Sequence, residues 1–361
     1  NIVRTQGNTP NAGTDIQLRG LTSVSGTTQP LIVIDGIPGG NLDLLQQDDI
    51  ATFDVLKDGS AAAIYGTRGN AGVILITTKK GKSGQARFDY STYFQREFVD
   101  RRPDNLTAAE YRGLIDQGLI SENNDLGSST DLYDELLNKE NLSQYHNFAA
   151  SGGSANSNYR VSFFFNDAEG IAKENSRKQY GGRMSFSQTG LQEKLTLATN
   201  MAVNLFNANM LGGGGGDFEQ AIQRNPTAPI YNADGSFVET EAYNNYNPLS
   251  RYANRINERN QMNLSGDVRL SLEIIEGLTA SVFGAHQRLT YNDRYYQSMN
   301  DFANRPSSDY QGTGYASKSN YLNWNNTLEA TVNYKKSFNL DHSLDFIGGY
   351  SYQYFTTETD S

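Results

Sequence analysis

The sequence lacks cysteine, long apolar runs and an excess of positive charge, and each absence excludes a class of protein. There is no cysteine in the 361 residues, which excludes disulfide scaffolds and thiolate metal sites. The longest runs of valine, isoleucine and leucine are LIVI at 31–34 and VILI at 73–76, and no apolar run exceeds five residues. A membrane-spanning helix needs about 18 apolar residues, so none is predicted. The net charge of -10 argues against a nucleic-acid-binding surface.

The mean hydropathy of -0.60 excludes a helical membrane protein but not a membrane barrel. A barrel strand exposes only alternate residues to lipid, so its average hydropathy stays near neutral. The chain also has no signal peptide and no initiating methionine. We therefore expect a mature or truncated chain, with its export signal lost if it had one.

Apolar and polar residues alternate strongly after Gly84. Within 262–274 one face holds Met262, Leu264, Gly266, Val268, Leu270, Leu272 and Ile274. The opposite face holds Asn263, Ser265, Asp267, Arg269, Ser271 and Glu273. Related stripes, some less regular, occupy 86–98, 141–152, 158–166, 179–188, 194–205, 278–290, 321–334 and 344–354. A period of two predicts β-strands with one polar face, roughly nine in all.

The links between these predicted strands alternate in length. The short links are 153–157, 189–193, 276–277 and 339–342, and the long ones are 100–140, 168–176, 207–257 and 293–317. An up-and-down membrane barrel has short periplasmic turns and longer extracellular loops, so the pattern favours a barrel. Apolar and polar residues also alternate in the strands of a soluble β-sandwich, so the pattern alone leaves that fold as an alternative, although its strands would usually be shorter.

The segment before Gly84 has a different, compact α/β character. Strands rich in valine and isoleucine are predicted at 16–20, 30–36, 52–57 and 72–79. The alanine-rich stretch at 58–66 is predicted to form a short helix. This unit is too small to carry a doubly wound sheet.

The same segment carries a recognisable signature. The stretches are IQLRGLTS (16–23), PLIVIDGIP (30–38) and DDIATFDVLKDGSAAAIYGTRGNAGVILITTKKG (48–81). They closely resemble the plug of SusC/RagA-type TonB-dependent transporters from the outer membrane of Bacteroidota. The resemblance implies a small α/β plug at 1–83 and a transmembrane antiparallel β-barrel from 84 to 361. About nine of an expected 22 strands would be present, so we expect a fragment truncated at both ends.

The signature residues are interpreted as structural. They are Arg19, Gly20, Asp35, Gly36, Lys57, Asp58, Gly66, Arg68, Gly69 and Gly72. The Asp-Gly pairs suit turns, and the three cations are expected to pair with carboxylates of the barrel wall. Asp48 and Asp49 are expected to favour a helix N-terminus. A ligand role for any of these residues is the alternative.

No catalytic, cofactor or metal site is predicted. His146, His286 and His342 lie far apart, and no zinc, phosphate-loop or GxSxG motif occurs. The glycine run at 212–216 is expected to be a mobile part of a loop. Tyr231, Tyr243, Tyr246 and Tyr252 would suit a sugar or a peptide, so the substrate-binding residues stay unknown.

The resemblance implies energised import of a nutrient across the outer membrane, an oligosaccharide or a peptide. The implied partners are outer-membrane lipid, a SusD-like lipoprotein cap and TonB–ExbB–ExbD. TonB would act through an upstream TonB box absent from this chain. The resemblance leaves undecided whether two SusC–SusD pairs form a dimer. The alternatives are a structural or adhesive surface β-protein without transport activity and an outer-membrane enzyme. The enzyme would need a catalytic constellation in the loops, and none is visible.

Overall fold

The chain forms a small N-terminal unit and one long antiparallel sheet. The computed structural model describes residues 2–4, 9–18, 29–56, 65–212, 215–239, 246–302, 313–337 and 342–361. We call the described residues before Gly84 the plug unit and the strands from Gly84 onward the wall sheet. No helix among the described residues is long and apolar enough to cross a membrane.

The plug unit is built on a four-stranded sheet. Its strands are β3 (Leu31–Ile34), β4 (Ile37–Pro38), β5 (Ile50–Leu56) and β6 (Val73–Thr78), in the order β4-β3-β6-β5. Only β3 and β6 run parallel. Two earlier strands, β1 (Ile2–Arg4) and β2 (Thr14–Ile16), form a separate antiparallel pair. The predicted strands at 30–36, 52–57 and 72–79 are therefore confirmed.

The core of the plug unit covers both faces of its sheet. Val33 and Val73 lie in one apolar cluster, and Ile34, Ile74 and Ile76 lie in a second. Strands buried on both faces read as continuous apolar runs, which explains why LIVI and VILI do not alternate.

One predicted strand and one predicted helix of the plug unit are described only in part. The strand predicted at 16–20 ends at Ile16, and 19–20 lie outside the described residues. Most of the helix predicted at 58–66 also lies outside them, and a 3-10 helix follows at Gly66–Gly69.

The wall sheet contains nine strands in sequence order, each antiparallel to its neighbours. Their bounds are β7 Gly84–Gln95, β8 Ser143–Gly153, β9 Ser157–Glu169, β10 Asn175–Gly190, β11 Leu195–Met210, β12 Arg255–Ile275, β13 Leu278–Gln297, β14 Tyr315–Ser337 and β15 Ser343–Asp360. All nine predicted strands are confirmed. Several are longer than the roughly 9–11 residues that cross a bilayer, so they extend beyond its apolar layer.

The two faces of the wall sheet have the burial expected of a barrel. On β12, Val268 and Leu270 are 50% and 44% exposed, whereas Asn263 and Asp267 are 1% and 6% exposed. A soluble sandwich would bury the apolar face and expose the polar one. The observed burial is the reverse, which argues against the sandwich and gives the wall sheet a polar inner face.

The long links contain four α-helices. These are α1 (Ala108–Asp116), α2 (Leu132–Glu135), α3 (Gly215–Gln223) and α4 (Pro248–Asn254). Leu132 and Leu136 pack with Ala221 of α3, and the side chains of Leu249 and Tyr252 join them. We call α2, α3 and α4 the loop cap.

The glycine run at 212–216 leads into a helix. Gly215 and Gly216 begin α3, and the backbone N–H of Gly212 donates to the carbonyl of Glu174 at 2.7 Å. Residues 213–214 lie outside the described part of the chain. The mobility expected of this run stays a prediction.

Candidate functional site

The plug unit contacts the inner face of the wall sheet through aspartates. Each of three aspartates pairs with one arginine from a different position on the sheet. The pairs are Asp35–Arg183 at 3.1 Å, Asp43–Arg177 at 2.8 Å and Asp49–Arg160 at 3.1 Å. Because the contacts reach strands β7 to β12, the wall sheet curves around the plug unit.

Asp35 combines a turn with a contact to the wall. Asp35 and Gly36 both have positive φ angles, 50° and 90°, in the turn between β3 and β4. The predicted turn is therefore confirmed. The Asp35 carboxylate also accepts from the backbone N–H and hydroxyl of Thr78, at 2.9 and 2.8 Å, and from Nη1 of Arg183. The sequence did not reveal this second role.

A 3-10 helix at Leu42–Leu44 carries the second contact. Asp43 accepts from Nη2 of Arg177, whose guanidinium stacks on the Phe206 ring at 3.9 Å. Asn41, which caps this helix, donates from Nδ2 to Oδ1 of Asn263 at 2.9 Å. This contact is polar throughout, apart from the Phe206 ring.

Asp48 and Asp49 form the third contact, in a 3-10 helix at Gln47–Asp49. Asp49 accepts from Nη2 of Arg160 and from the Ser162 hydroxyl at 2.9 Å. Asp48 accepts from the Tyr145 hydroxyl at 3.1 Å and from Ser91 at 3.3 Å. Both aspartates lie in the first turn of a helix, as expected. A three-residue helix has only a small dipole, and the structure adds that both carboxylates also contact the wall.

The charges across this interface have the opposite arrangement to the one expected. Arg19 and Lys57 lie outside the described residues, as do Gly20 and Asp58. Arg68 is exposed and forms no ion pair with any residue that the structure describes. In the pairs that are described, the plug unit supplies the acids and the wall sheet supplies the bases. Sequence reasoning missed this because it cannot show which charges meet.

The remaining signature glycines lie around β6. Gly66 and Gly69 bound the 3-10 helix, and Gly69 is buried. The carbonyl of Gly72 accepts from the backbone N–H of Leu31 at 3.0 Å, which extends the pairing of β3 and β6. A purely structural role for the signature stays a prediction.

Two cavities separate the plug unit from strands β7 to β10. The outer cavity, about 550 Å³, lies toward the long links and is lined by Tyr93, Gln95, Asn166, Glu169, Arg177 and Gln179, among others. The inner cavity, about 720 Å³, lies toward the short turns and is lined by Lys79, Lys80, Lys82, Arg87, Asp89 and Arg160, among others. The contacts of Asp48 and Asp49 stand between the two cavities.

A buried carboxylate organises the loop cap. Asp217 of α3 has no exposed surface and accepts from the hydroxyls of Tyr246 and Tyr252, at 2.9 and 3.1 Å. Nη1 of Arg251 also donates to it. Burial, and next the charge of Asp217, raise the pKa of both tyrosines above the usual value. The network was not predicted, because nothing in the sequence links Asp217 to residues about thirty positions later.

The loop network changes the interpretation of the loop tyrosines. Tyr246 and Tyr252 are held by Asp217, so their hydroxyls are already used. Tyr243 lies outside the described residues, and Tyr231 is 53% exposed. Within the described part of the chain, no group of three or more His, Asp or Glu side chains could hold a metal ion.

The plug seated inside a curved sheet agrees with known proteins. Residues 2–73 match the TonB-dependent receptor plug domain family. The chain is 31% identical to a TonB-dependent receptor of Formosa agariphila, over 96% of this chain and 34% of that receptor. The chain belongs to the TonB-dependent receptors. It is also 32% identical to the TonB-dependent receptor SusC of Bacteroides thetaiotaomicron, over 68% of this chain and 26% of SusC.

The receptor fold is supported by a solved relative. The RagAB peptide importer in its open-open state superposes with a TM-score of 0.79 at 20% identity. The superposition covers 99% of this chain and 44% of that one. The predicted SusC/RagA-type membership, and the assignment of the wall sheet as part of a receptor barrel, are confirmed. TonB-dependent receptors reside in the bacterial outer membrane, and this chain spans about a third of the length of its curated relatives.

Proposed function

We propose that this receptor imports a nutrient across the outer membrane by a TonB-dependent movement of its plug. The plug is residues 1–83 and the barrel portion begins at residue 84. Receptors of this family are transporters rather than enzymes. The observation that carries the proposal is the chemistry of the interface between the plug unit and the wall sheet.

That interface is held by polar contacts. Asp35, Asp43 and Asp49 meet arginines, and Asn41 meets Asn263. Hydrogen bonds to a protein partner exchange with hydrogen bonds to water, at a net cost of about 1.5–3 kcal/mol each when a charged group takes part. An apolar interface of the same size would resist wetting. A polar one holds the plug at rest and lets it separate when TonB pulls.

The proposed cargo is an oligosaccharide. The outer cavity presents the amides of Gln95, Asn166 and Gln179 beside the carboxylate of Glu169 and the ring of Tyr93. Amides and carboxylates suit the many hydroxyls of a sugar, and an aromatic ring offers an apolar face with a polar edge. A peptide is the second candidate, and the fold is shared with a peptide importer.

The proposed partners follow from the same mechanism. TonB–ExbB–ExbD would supply the pulling force through a TonB box, and outer-membrane lipid would surround the apolar outer face. A SusD-like lipoprotein would cover the extracellular end, where α1 and the loop cap lie, and a dimer of two such pairs is part of the proposal.

Import is tested with the full-length transporter in its own cell. We expect uptake of labelled oligosaccharides to stop when TonB is deleted, while binding at the cell surface remains. Uptake that continues without TonB would contradict the energised mechanism. Surface binding without uptake in either strain would instead favour the adhesive alternative.

The cargo class is tested in the same strains. Wild-type cells should accumulate labelled oligosaccharides in preference to labelled oligopeptides of similar mass. The opposite preference would assign a peptide cargo and leave the import mechanism intact.

A further inference from the structure

The inner cavity concentrates positive charge in a chain that is otherwise acidic. Its lining includes five cationic side chains, those of Lys79, Lys80, Lys82, Arg87 and Arg160. Two carboxylates also line it, and both are already engaged. Asp48 accepts from Tyr145 and Ser91, and Asp89 pairs with Arg87 at 3.0 Å.

The three lysines of this cavity have no salt-bridge partner in the described part of the chain. None of Lys79, Lys80 and Lys82 forms an ion pair with a carboxylate among the described residues. The whole chain carries a net charge of -10, so this local excess is not a general property of its surface. A cleft lined by one sign of charge raises the local concentration of ions of the other sign.

The lysine segment is held in place by backbone contacts. The N–H of Lys79 donates to the carbonyl of Asp49 at 2.8 Å. Gly81 is buried against β9, where an added Cβ would lie 2.2 Å from the carbonyl oxygen of Tyr159. Only glycine permits this approach. It fixes the chain between Lys80 and Lys82, so both lysines start from a defined position at the cavity.

The back of the cavity holds a buried donor without a partner. The Arg160 side chain is 9% exposed, and its Nη2 donates to Asp49. Its Nε is buried and has no hydrogen-bond partner among the described residues. Nη1 of Arg160 also lies 4.0 Å from Oδ2 of Asp89, so two carboxylates hold this guanidinium at the back of the cavity. The unpaired positive charge of the cavity is therefore that of its lysines.

We propose that the inner cavity is a binding site for an anionic group of the cargo, a carboxylate or a sulfate carried by an oligosaccharide. The proposal rests on the import function and narrows its substrate class to acidic glycans. Oxyanions match the donors present, because ammonium and guanidinium groups make their strongest hydrogen bonds to charged oxygens. The volume of about 720 Å³ accommodates a sugar residue together with water.

The inner cavity lies where cargo would leave the barrel for the periplasm. The inner cavity lies at the short-turn end of the wall sheet, which faces the periplasm in barrels of this kind. The contacts of Asp48 and Asp49 separate it from the outer cavity. When those contacts open, a cargo in the outer cavity would meet the lysines next, and their charge would favour its advance.

The test compares two disaccharides that differ in charge. Binding of digalacturonate and of neutral galactobiose to the detergent-solubilised, full-length transporter is measured by calorimetry. Digalacturonate should bind the wild type more tightly than galactobiose does. Its binding should weaken at high salt. In Lys79→Ala/Lys82→Ala its affinity should fall about tenfold, the loss expected when charged partners of an oxyanion are removed from a confined site. Galactobiose should be unaffected.

A charge-matched control uses Lys318→Ala/Lys335→Ala on β14, outside the cavity. This variant loses the same two charges and should bind digalacturonate like the wild type. Equal binding by wild type and cavity variant, or equal loss in the control, would overturn the proposal. Inorganic phosphate that binds at the lysines while digalacturonate does not would assign the site to a free anion, which also overturns the cargo assignment.

The outcome is separable from that of the import hypothesis. Calorimetry needs neither TonB nor a proton gradient, so the cavity can bind digalacturonate even if uptake proves independent of TonB. Conversely, TonB-dependent uptake of neutral glycans without any digalacturonate binding would sustain import and contradict the anionic cargo.

Discussion

Arg183 of β10 donates from Nη1 to Oδ2 of Asp35 at 3.1 Å, and the two side chains are only 8% and 4% exposed. These residues lie 148 positions apart in the chain. The pair joins the turn between β3 and β4 of the plug to the inner face of the barrel wall. A buried ion pair of this kind is costly to break from one side, because the remaining charge is left without a partner.

Replacement of Arg183 should loosen the plug. Arg183→Met leaves the Asp35 carboxylate buried without its cation, at a cost of about 3–5 kcal/mol. We expect the full-length receptor to admit large antibiotics such as vancomycin, measured as increased sensitivity of the cells. Asp35→Asn/Arg183→Met removes both charges and should restore much of the resistance to vancomycin.

Arg294 provides the control for that prediction. It pairs with Glu258 at 3.4 Å, and the two side chains are 60% and 43% exposed. Exposed pairs contribute only about 0.2–1 kcal/mol, so Arg294→Met should leave permeability unchanged. Equal sensitivity in the Arg183 and Arg294 variants would contradict a specific role for the buried pair.

The lipid-facing register of β12 gives a prediction at adjacent residues. Val268→Lys places a charge on the outer face and should cost about 2–4 kcal/mol near the bilayer midplane, which impairs assembly. Arg269→Ser should preserve the barrel, because the Arg269 guanidinium lies on the inner side, over the Phe283 ring at 4.4 Å. Assembly is measured as heat-modifiable migration of the full-length protein.

Fluorescence quenching checks the same register directly. Trp324, the single tryptophan of these 361 residues, and any tryptophan elsewhere in the receptor are replaced by phenylalanine, and a new indole is placed at 270 or at 269. Brominated lipid should quench Leu270→Trp strongly and Arg269→Trp weakly. The reverse order would mean that the inner and outer faces are assigned incorrectly.

A cross-link between plug and wall should stop transport. The Ser91 hydroxyl donates to Oδ1 of Asp48 at 3.3 Å, and the chain has no native cysteine that would interfere. Asp48→Cys/Ser91→Cys joined by a short, cleavable thiol cross-linker should abolish uptake, and cleavage should restore it. Each single-cysteine variant controls for the lost hydrogen bond. Full uptake by the cross-linked receptor would show that this contact stays closed during import.

The loop cap should open in alkali. The pKa of Tyr252 is raised, first by burial and then by the charge of Asp217. A raised pKa means that the fold favours the neutral hydroxyl, so this stabilisation is complete below about pH 10, the value of an unperturbed tyrosine. It is lost as the pH rises further. We expect protease cleavage within 211–254 to appear above that pH while the barrel stays heat-modifiable.

Phenylalanine variants test the origin of that transition. Tyr246→Phe/Tyr252→Phe removes both titrating groups and should flatten the pH dependence, although losing two hydrogen bonds costs about 1 kcal/mol each. An unchanged alkaline transition would assign it to other groups. Asp217→Ala provides the complementary case, in which Arg251 loses its carboxylate and the cap should open already at neutral pH.

The wall sheet was predictable from the sequence because its signal is local. Side chains of a strand alternate between two faces, so a stripe such as that at 262–274 states which residues share a face. Turn chemistry is local as well, and Asp35-Gly36 proved to be the expected turn. The plug signature added the family and, with it, the expectation of a transmembrane barrel.

The partners across the plug and wall were decided only by the tertiary structure. Asp35, Asp43 and Asp49 resemble ordinary turn and helix-end residues in the sequence, and their arginines lie more than a hundred positions later. Which charges meet depends on how a folded plug seats in a curved sheet, and strand alternation carries no information about that. The same reason explains the buried Asp217 network and the positive inner cavity: both are assembled from segments that approach one another only after the sheet has curved.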